Sequence, residues 1–559
     1  MKLSDVITNV FAGLTVGIIA LPLSMALAIA TGVAPQHGLY TAIVAGIVCS
    51  LAGGSRVNIS GPTAAFVVIL LPIVNAYGLG GLLVSGMMAG VILVAMGMGR
   101  MGRFISMVPY PVIIGFTSGI GVVIATIQVK DFFGLTVEGN PEHYLDRLSA
   151  IINAFPSAQL DELFIAVLTF LILVIWPKFR RKVPPHLVAL LVATTVAWLL
   201  QNYSADFEIA TIGSRFQYDI DGAMGNGIPP IPLQFQWPWE LPDAAGAPIG
   251  LSYDLIRLLL PAAFSIAILG ALESLLCATV ADGMSGTKHD PNKELIGQGL
   301  ANIVTPFFGG IPATAAIART AANIKAGGTN AVSPIVHSLT ILVAMLALSD
   351  LIAFIPMAAM AALLIKVAWN MSEAKHFIRI VKVAPSSDVM TLLVCFFLTV
   401  IFDMEIAVAT GIGLAGLLFI RRSIDLMDGK LVDADEHPHA KGLPDSVLIY
   451  GISGPMFFGA AQKALAILTN LNKRVDTVIL DMANVTMLDM TAIVALETII
   501  EDLNKKGIDV IISGLAPKMI AKLDKAGVKK KAGLLEYSDT MIASTAFVLA
   551  ELKGKSLAH

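Results

Sequence analysis

Apolar runs of about twenty residues recur along this chain from near Val10 to Ile420, and no other feature restricts its fold so much. A bilayer's hydrocarbon core is about 30 Å thick, and roughly 20 residues of helix cross it. Composition agrees: 56% of the 559 residues are hydrophobic and 14% charged, against about 45–50% and 25% in a soluble domain. The mean hydropathy is +0.80. These numbers imply an integral membrane protein. Beyond Arg421 the texture changes, and from about Asp425 Lys, Asp and Glu become frequent, as in a soluble domain. The net charge of -3 averages two unlike parts. Cys49, Cys277 and Cys395 lie in apolar runs, which predicts buried thiols and no disulfide framework. The first apolar run lacks a charged leader and a small-residue cleavage site, so it is read as a retained helix.

Basic residues sort the turns. Arg100 and Arg103, then Lys178, Arg180, Arg181 and Lys182, then Lys288 and Lys293, then Lys375, Arg379 and Lys382, then Arg421 and Arg422 all flank apolar segments. On the other side, the polar insert from Asn202 to Gly250 holds Arg215 as its only basic residue, against Asp206, Glu208, Asp219, Asp221, Glu240 and Asp243. Because cytoplasmic turns retain Lys and Arg, the basic turns and both termini are expected inside, with an even number of crossings. "HFIRIVKV", His376 to Val383, reads either as an interfacial helix or as a basic turn. Asp403 and Glu405 in "FDMEIAV" read as a solvated turn.

The chain also echoes itself. "SGPTAAFVVI", Ser60 to Ile69, follows Gly53 and Gly54, and "GGIPATAAIA" places Thr314, Ala315 and Ala316 after Gly309, Gly310 and Pro312. In transporters, paired Gly/Pro-interrupted segments at corresponding places in two repeats point to the binding site. Amide groups at a helix start lack intrahelical partners and carry the positive end of the dipole. Two such starts suit an anion, and small side chains let it approach. Arg319, about a turn and a half beyond Thr314, adds a full charge, with snorkelling or a carboxylate partner as alternatives. The other intramembrane charge is Glu273, in "AILGALESLLCATVADG". A carboxylate in such a place takes up a proton, ligates a cation or pairs with Arg319.

These residues resemble a known family. "ISGPTAAFVVIL", "GALESLLCATVADGMSGTKH", "GQGLANIVTPFFGGIPATAAIARTAANIKAGG" and "MAALLIKVAWNMSE" are similar to the SulP anion transporters, in particular to their bacterial C4-dicarboxylate carriers. The resemblance implies an all-α polytopic membrane protein. About fourteen segments form two inverted seven-segment repeats, with the core and gate domains seen in nucleobase permeases, and a cytoplasmic α/β STAS domain follows. It carries the anion site onto Thr63, Ala64, Ala65 and Phe66 of the third segment and Ala315, Ala316 and Ile317 of the tenth. Glu273 falls where a bicarbonate-transporting relative uses an aspartate for sodium. Cys277 and Ile317 replace two threonines of that relative, which puts sodium coupling in doubt, and Leu23 and Leu27 make the first segment's side of the pocket apolar.

The expected domains are 1–423 for transport, 424–445 as linker and 446–559 as STAS domain. In the last, "VLIYGI", "TVILDM" and "IDVIIS" are strand-like, with amphipathic "QKALAILTNL", "TAIVALETIIEDLNKK" and "PKMIAKLDKAG" between them, an α/β pattern. Thr491, near the position phosphorylated in soluble STAS relatives, is a candidate phosphosite or a helix N-cap. No nucleophile with a base, metal set or phosphate loop occurs, so an enzyme is not expected. The reading is a bacterial inner-membrane symporter that takes a small anion, a C4-dicarboxylate such as succinate, fumarate or aspartate, with protons. A bicarbonate or sulfate carrier, with or without sodium, and an uncoupled channel are the alternatives. No cofactor or metal is expected beyond the coupling ion, and no nucleic acid. Membrane lipid, a second copy of the chain and a cytoplasmic regulator of the STAS domain are the expected partners.

Overall fold

A computed structural model describes residues 3–105, 108–137, 139, 141, 144–179, 183–203, 207–220, 222–402, 404–425, 428–432, 442–457, 461, 465, 467–468 and 475–557. Arg180, Arg181, Lys182, Asp206, Asp221, Asp403 and most of the stretch 462–471 lie outside the described residues. The chain forms two compact units, Met1–Ala415 and Gly416–His559.

In the first unit the first half runs through α1 (Leu3–Ala30), α2 (Pro35–Ala52), a two-residue strand β1 (Ser60–Gly61), α3 (Ala64–Met98), the short α4 (Gly102–Ile105), α5 (Tyr110–Phe133), α6 (Tyr144–Ala154), α7 (Leu160–Phe179) and α8 (Pro185–Tyr203). Among the described residues, seven helices are long and apolar enough to cross a membrane. One of these, α3, is two segments joined at Gly78, whose φ of 66° and ψ of -170° break the helix. Only glycine adopts that conformation readily, and a side chain there would also run into the backbone of Asp243. The insert that follows α8 carries the short α9 (Ile212–Arg215) and a hairpin of β2 (Gln217–Ile220) and β3 (Ala223–Asn226).

The second half repeats the plan with α10 (Tyr253–Ser285), α11 (Pro291–Val304), the two-residue strand β4 (Thr314–Ala315), α12 (Ile317–Lys325), α13 (Val332–Ala353), α14 (Met357–Met371), α15 (Ala374–Val383), α16 (Ser386–Ile401) and α17 (Met404–Asp425). With the parts of α3 counted separately and α4, α6, α9 and α15 set aside, each half supplies seven segments among the described residues. A strand precedes the third segment of each. The helices sort into two packed groups, one of α1, α2, α3, α10, α11, α12 and α13, the other of α5, α7, α8, α14 and α16. The "HFIRIVKV" stretch forms most of α15, which buries Ile380 against Ile114 and Leu392.

The insert braces the joint between the two groups. The segment before α9 lies antiparallel to the turn between α13 and α14: the Ile212 amide donates to Ile355 O at 3.0 Å, and the Met357 amide to Ala210 O at 2.8 Å. The Ala210 amide in turn donates to Oε1 of Glu162 at 2.6 Å, and Glu162 is 3% exposed. Arg215, the single basic residue of the insert, pairs with Asp131 at 2.6 Å.

The second unit is a five-stranded sheet in the order β5 (Asp428–Val432), β6 (Val447–Met456), β7 (Thr477–Leu488), β8 (Asp509–Ser513), β9 (Leu535–Ser538). Only the β5–β6 pairing is antiparallel. Alternation along β6 sends Tyr450 and Ile452 to one face, against α18 (Met490–Lys505) and α19 (Pro517–Ala526). It sends Val447 and Ile449 to the other, against Met541 and Val548 of α20 (Met541–Leu557). The expected strands and the last two expected helices fall where the sequence places them. The sheet also takes in β5, inside the stretch read as a linker. The cap of α18 is Asp489, whose side chain accepts from the Ala492 amide at 2.8 Å. That corrects the reading of Thr491 as the N-cap: an ionised carboxylate two residues earlier holds the amide more strongly.

The brace gives a stability prediction. Glu162→Ala leaves the buried Ala210 amide without its acceptor, at a cost of about 1–3 kcal/mol, and should lower the melting temperature of detergent-solubilised protein. Glu162→Gln, which keeps an acceptor oxygen, should lose much less. Equal melting temperatures for Glu162→Ala and the parent would show that the insert is held without this bond.

Candidate functional site

The two interrupted segments meet as a miniature sheet. Ser60 pairs with Ala315 and Gly61 with Thr314, antiparallel. Within three residues of that crossing both helices begin, α3 at Ala64 and α12 at Ile317. Their N-cap residues, Thr63 and Ala316, are extended, and neither caps its helix with a side chain. Pro62 and Pro312 stiffen the two approaches. Gly61 is required by close approach, because a Cβ there would stand 2.7 Å from Nη1 of Arg319 and 3.4 Å from Cα of Ala42.

Polar side chains from neighbouring helices lock the crossing. Asn302 of α11 clamps Ala313, accepting from its amide at 2.8 Å and donating to its carbonyl at 2.9 Å. Ser274 of α10 bonds the Thr314 hydroxyl at 2.7 Å and accepts from the Ala315 amide at 3.3 Å. The Ala316 amide donates to Ile59 O at 2.9 Å, the Ile59 amide to Oγ1 of Thr320 at 2.9 Å, and Nδ2 of Asn323 to Val57 O at 2.9 Å. Below the crossing, Glu294 of α11 is 1% exposed and accepts from the amides of Gly54 and Ser55 and from Asn58 Nδ2, each at 2.9 Å. Gln298, one turn on, donates to Oγ of Ser60 at 2.8 Å.

This locking moves the open amides by one position. The amides of Ala315 and Ala316 are engaged, so on the α12 side helix geometry leaves those of Ile317 and Ala318 open. Both residues are exposed, whereas Ala315 is 1% exposed. On the α3 side the open amides are those of Ala64 and Ala65, and the Phe66 amide reaches back to Thr63 O at 3.3 Å. Phe66 is buried beside Gly270, one turn before Glu273.

The two intramembrane charges flank the same backbone. Oε2 of Glu273 accepts from the Thr63 hydroxyl at 2.9 Å. Arg319, 4% exposed, donates from Nη2 to the Pro62 carbonyl, the residue before Thr63. They form no ion pair in the structure, although each feels the other's charge. The buried Cys277 thiol lies 3.3 Å from Oγ1 of Thr320 and 3.8 Å from Oδ1 of Asn58. Leu23 and Leu27 are packed into the main apolar cluster. Thr491 lies in the second unit, exposed at the second residue of α18. Sequence reading did not pick out Ser274, Glu294, Gln298, Asn302, Thr320 or Asn323. A signal existed for three of them: Glu294, Gln298 and Asn302 recur at four-residue spacing, a polar stripe along one face of α11.

Comparison with known proteins identifies the family. The family model for the sulfate permease family matches residues 6–395, and the STAS domain model matches residues 438–540. The chain is 41% identical to a putative sulfate transporter, YvdB, of Bacillus subtilis, covering 95% of this chain and 96% of the relative. It is 31% identical to the bicarbonate transporter BicA of Picosynechococcus, covering 94% and 91%. The solved transmembrane domain of a cyanobacterium BicA superposes with a TM-score of 0.62 at 27% identity, over 74% of this chain and 98% of that one. The overall structure of SLC26A9 superposes with 0.83 at 19% identity, over 99% and 92%, a likeness of fold alone. The chain therefore belongs to the sulfate permease (SulP) family: it is a multi-pass membrane transporter with a C-terminal STAS domain, not an enzyme.

Proposed function

We propose that the protein is a secondary active carrier that moves a small anion together with protons, with C4-dicarboxylates such as succinate, fumarate and aspartate as its substrate class. The observation that carries the reading is the 2.9 Å hydrogen bond from the Thr63 hydroxyl to Glu273. Thr63 is the N-cap of α3, so its hydroxyl lies at the helix start where an anion gains most. While Glu273 is ionised it takes that hydroxyl and sets a negative charge beside the start. Once protonated it releases both, and the hydroxyl is free to donate to substrate. Anion and proton thus favour each other's binding, which is what symport needs. Two helix starts supply one set of amides for each end of a dicarboxylate, and Arg319 adds charge from behind Pro62.

A second reading, bicarbonate or sulfate as substrate, is favoured by what the relatives are named for. Sodium in place of the proton fits less well, because a hard cation takes oxygen ligands and this chain offers the Cys277 thiol. An uncoupled channel would need no carboxylate on the cap. This reading puts the protein in a bacterial inner membrane with both termini cytoplasmic, supported by the excess of Lys and Arg in one set of turns. We further take the working unit to be a homodimer, with a cytoplasmic regulator acting on the STAS domain. A phosphate on Thr491 would sit at the positive end of α18.

Two variants test the site. In proteoliposomes Glu273→Gln should still exchange labelled succinate but lose accumulation under an inward proton gradient, which for each coupled proton reaches about tenfold per pH unit. Parental accumulation by this variant would exclude Glu273 as the coupling group, and accumulation by the parent under a sodium gradient alone would exclude the proton. Ile317→Pro removes one open amide while keeping the helix start, because proline suits the first helical position and Ala316 before it is already extended. Loss of one hydrogen bond to a charged group, about 1.5–3 kcal/mol, should raise the KM about ten- to a hundredfold. Ile317→Ala should leave it within about twofold. Equal KM values for the two would move the anion away from α12.

A further inference from the structure

Arg319 has a loose end. Its Nη2 is held by Pro62, but Nη1 has no hydrogen-bond partner among the described residues, although the side chain is 4% exposed. A buried donor on a charged group left in that condition costs at least about 1–3 kcal/mol, so its surroundings should contain what satisfies it. One side chain of the next helix is in the same position. His337 of α13 is 0% exposed, and among the described residues neither Nδ1 nor Nε2 has a hydrogen-bond partner. The Pro334 carbonyl acts on the ring from one turn back but lies outside hydrogen-bond geometry.

The two helices are joined by one side-chain bond near the turn between them: the Ser333 hydroxyl of α13 donates to the Asn323 amide oxygen of α12. One turn back along α12 from Asn323 is Arg319, and one turn on along α13 from Ser333 is His337, so each lies on the face of its helix that carries the bonded pair. A third element closes the space. Ser338, beside His337, donates to Ala42 O at 3.0 Å, and Ala42 and Nη1 of Arg319 both crowd the point where a Cβ of Gly61 would stand.

We infer that His337 is a positioning residue for Arg319: its neutral imidazole accepts, through one bridging water, the Nη1–H that no other group takes. The chemistry of the acceptor matters. A carboxylate in this place would satisfy Nη1 but cancel the charge, whereas a carbonyl on Nη2 and a neutral imidazole on Nη1 fix the guanidinium and leave its full charge directed at the helix starts. A bridging water needs two to four polar partners, and the Nη1 donor and an acceptor nitrogen of the ring supply two. The inference rests on the reading that Arg319 serves the anion.

The test is uptake kinetics in proteoliposomes with labelled succinate, or labelled sulfate if succinate is not carried. His337→Leu should raise the KM about tenfold while Vmax per reconstituted transporter stays within about twofold. His337→Gln, which restores a neutral acceptor, should return KM to within about threefold of the parent. If His337→Leu does not assemble in the membrane, His337→Phe takes its place as the apolar variant. Arg319→Ala should raise KM by itself, and adding the apolar substitution at 337 should then change nothing further. A raised KM in Arg319→Ala with a parental KM in the apolar His337 variant overturns the role of His337 alone. So do fully additive effects in the double variant. A parental KM in Arg319→Ala overturns the binding role of Arg319 on which the inference stands.

Discussion

Two residue pairs, Ser60 with Ala315 and Gly61 with Thr314, are the constraint on which the rest of the membrane unit depends. In hydrocarbon every backbone N–H and C=O must be paired within the protein, and a broken helix is tolerated only where other groups take up what it frees. Here each broken segment takes up what the other frees, because the pairing is antiparallel and the two halves are inverted copies of one plan. Neither half can form its break alone. The crossing, and with it the proposed site, is therefore a property of the assembled halves, and the small residues of both segments follow from how closely two backbones must pass.

What the strand pair leaves unpaired is taken by side chains from α10, α11 and α12. Asn302 holds one side of Ala313, Ser274 holds Thr314 and Ala315, and Thr320 and Asn323 hold the loop before β1. Each of these bonds adds only about 1 kcal/mol net, but an unpaired group in their place would cost more. Together they define which amides remain open. The crossing is thus rigid, and the two short stretches just beyond it, Ala64–Ala65 and Ile317–Ala318, keep their free donors because the lock ends there. A preorganised set of donors loses little entropy on meeting an anion.

Much of this was legible in the sequence, and the rest was hidden for a physical reason. The Gly/Pro breaks, the repeated Thr-Ala-Ala pattern, Glu273 and Arg319 are local signals, since each violates the composition of the apolar run around it. The partners of the break are not local. Glu294 meets Gly54, and Asn323 meets Val57, more than two hundred residues away, and nothing in "NKELIGQGLANIV" says which loop its polar face will bind. The same limit explains the amide shift: one-dimensional pattern places a helix start to within a residue or two, whereas the Ala316–Ile59 bond that sets it depends on the register between halves. In the STAS domain the buried strands were legible from their apolar runs. The edge strand β5 was not, because "DGKLV" carries too few apolar residues to stand out from a linker.

The position of Glu273 follows from the same lock. Had Glu273 paired directly with Arg319, the two charges would satisfy each other and neither would respond to substrate or proton without breaking a buried ion pair, at several kcal/mol. The structure instead interposes the chain of Pro62 and Thr63: the cation holds a carbonyl, the carboxylate holds the next hydroxyl, and each ion is tied to a neutral group. A hydrogen bond between an ion and a neutral group is exchanged at smaller cost than a buried ion pair. In the proposed mechanism the Thr63 hydroxyl passes between Glu273 and an arriving anion with little change elsewhere, and one hydroxyl on the cap of α3 connects proton and substrate at less cost than direct contact between the charges would.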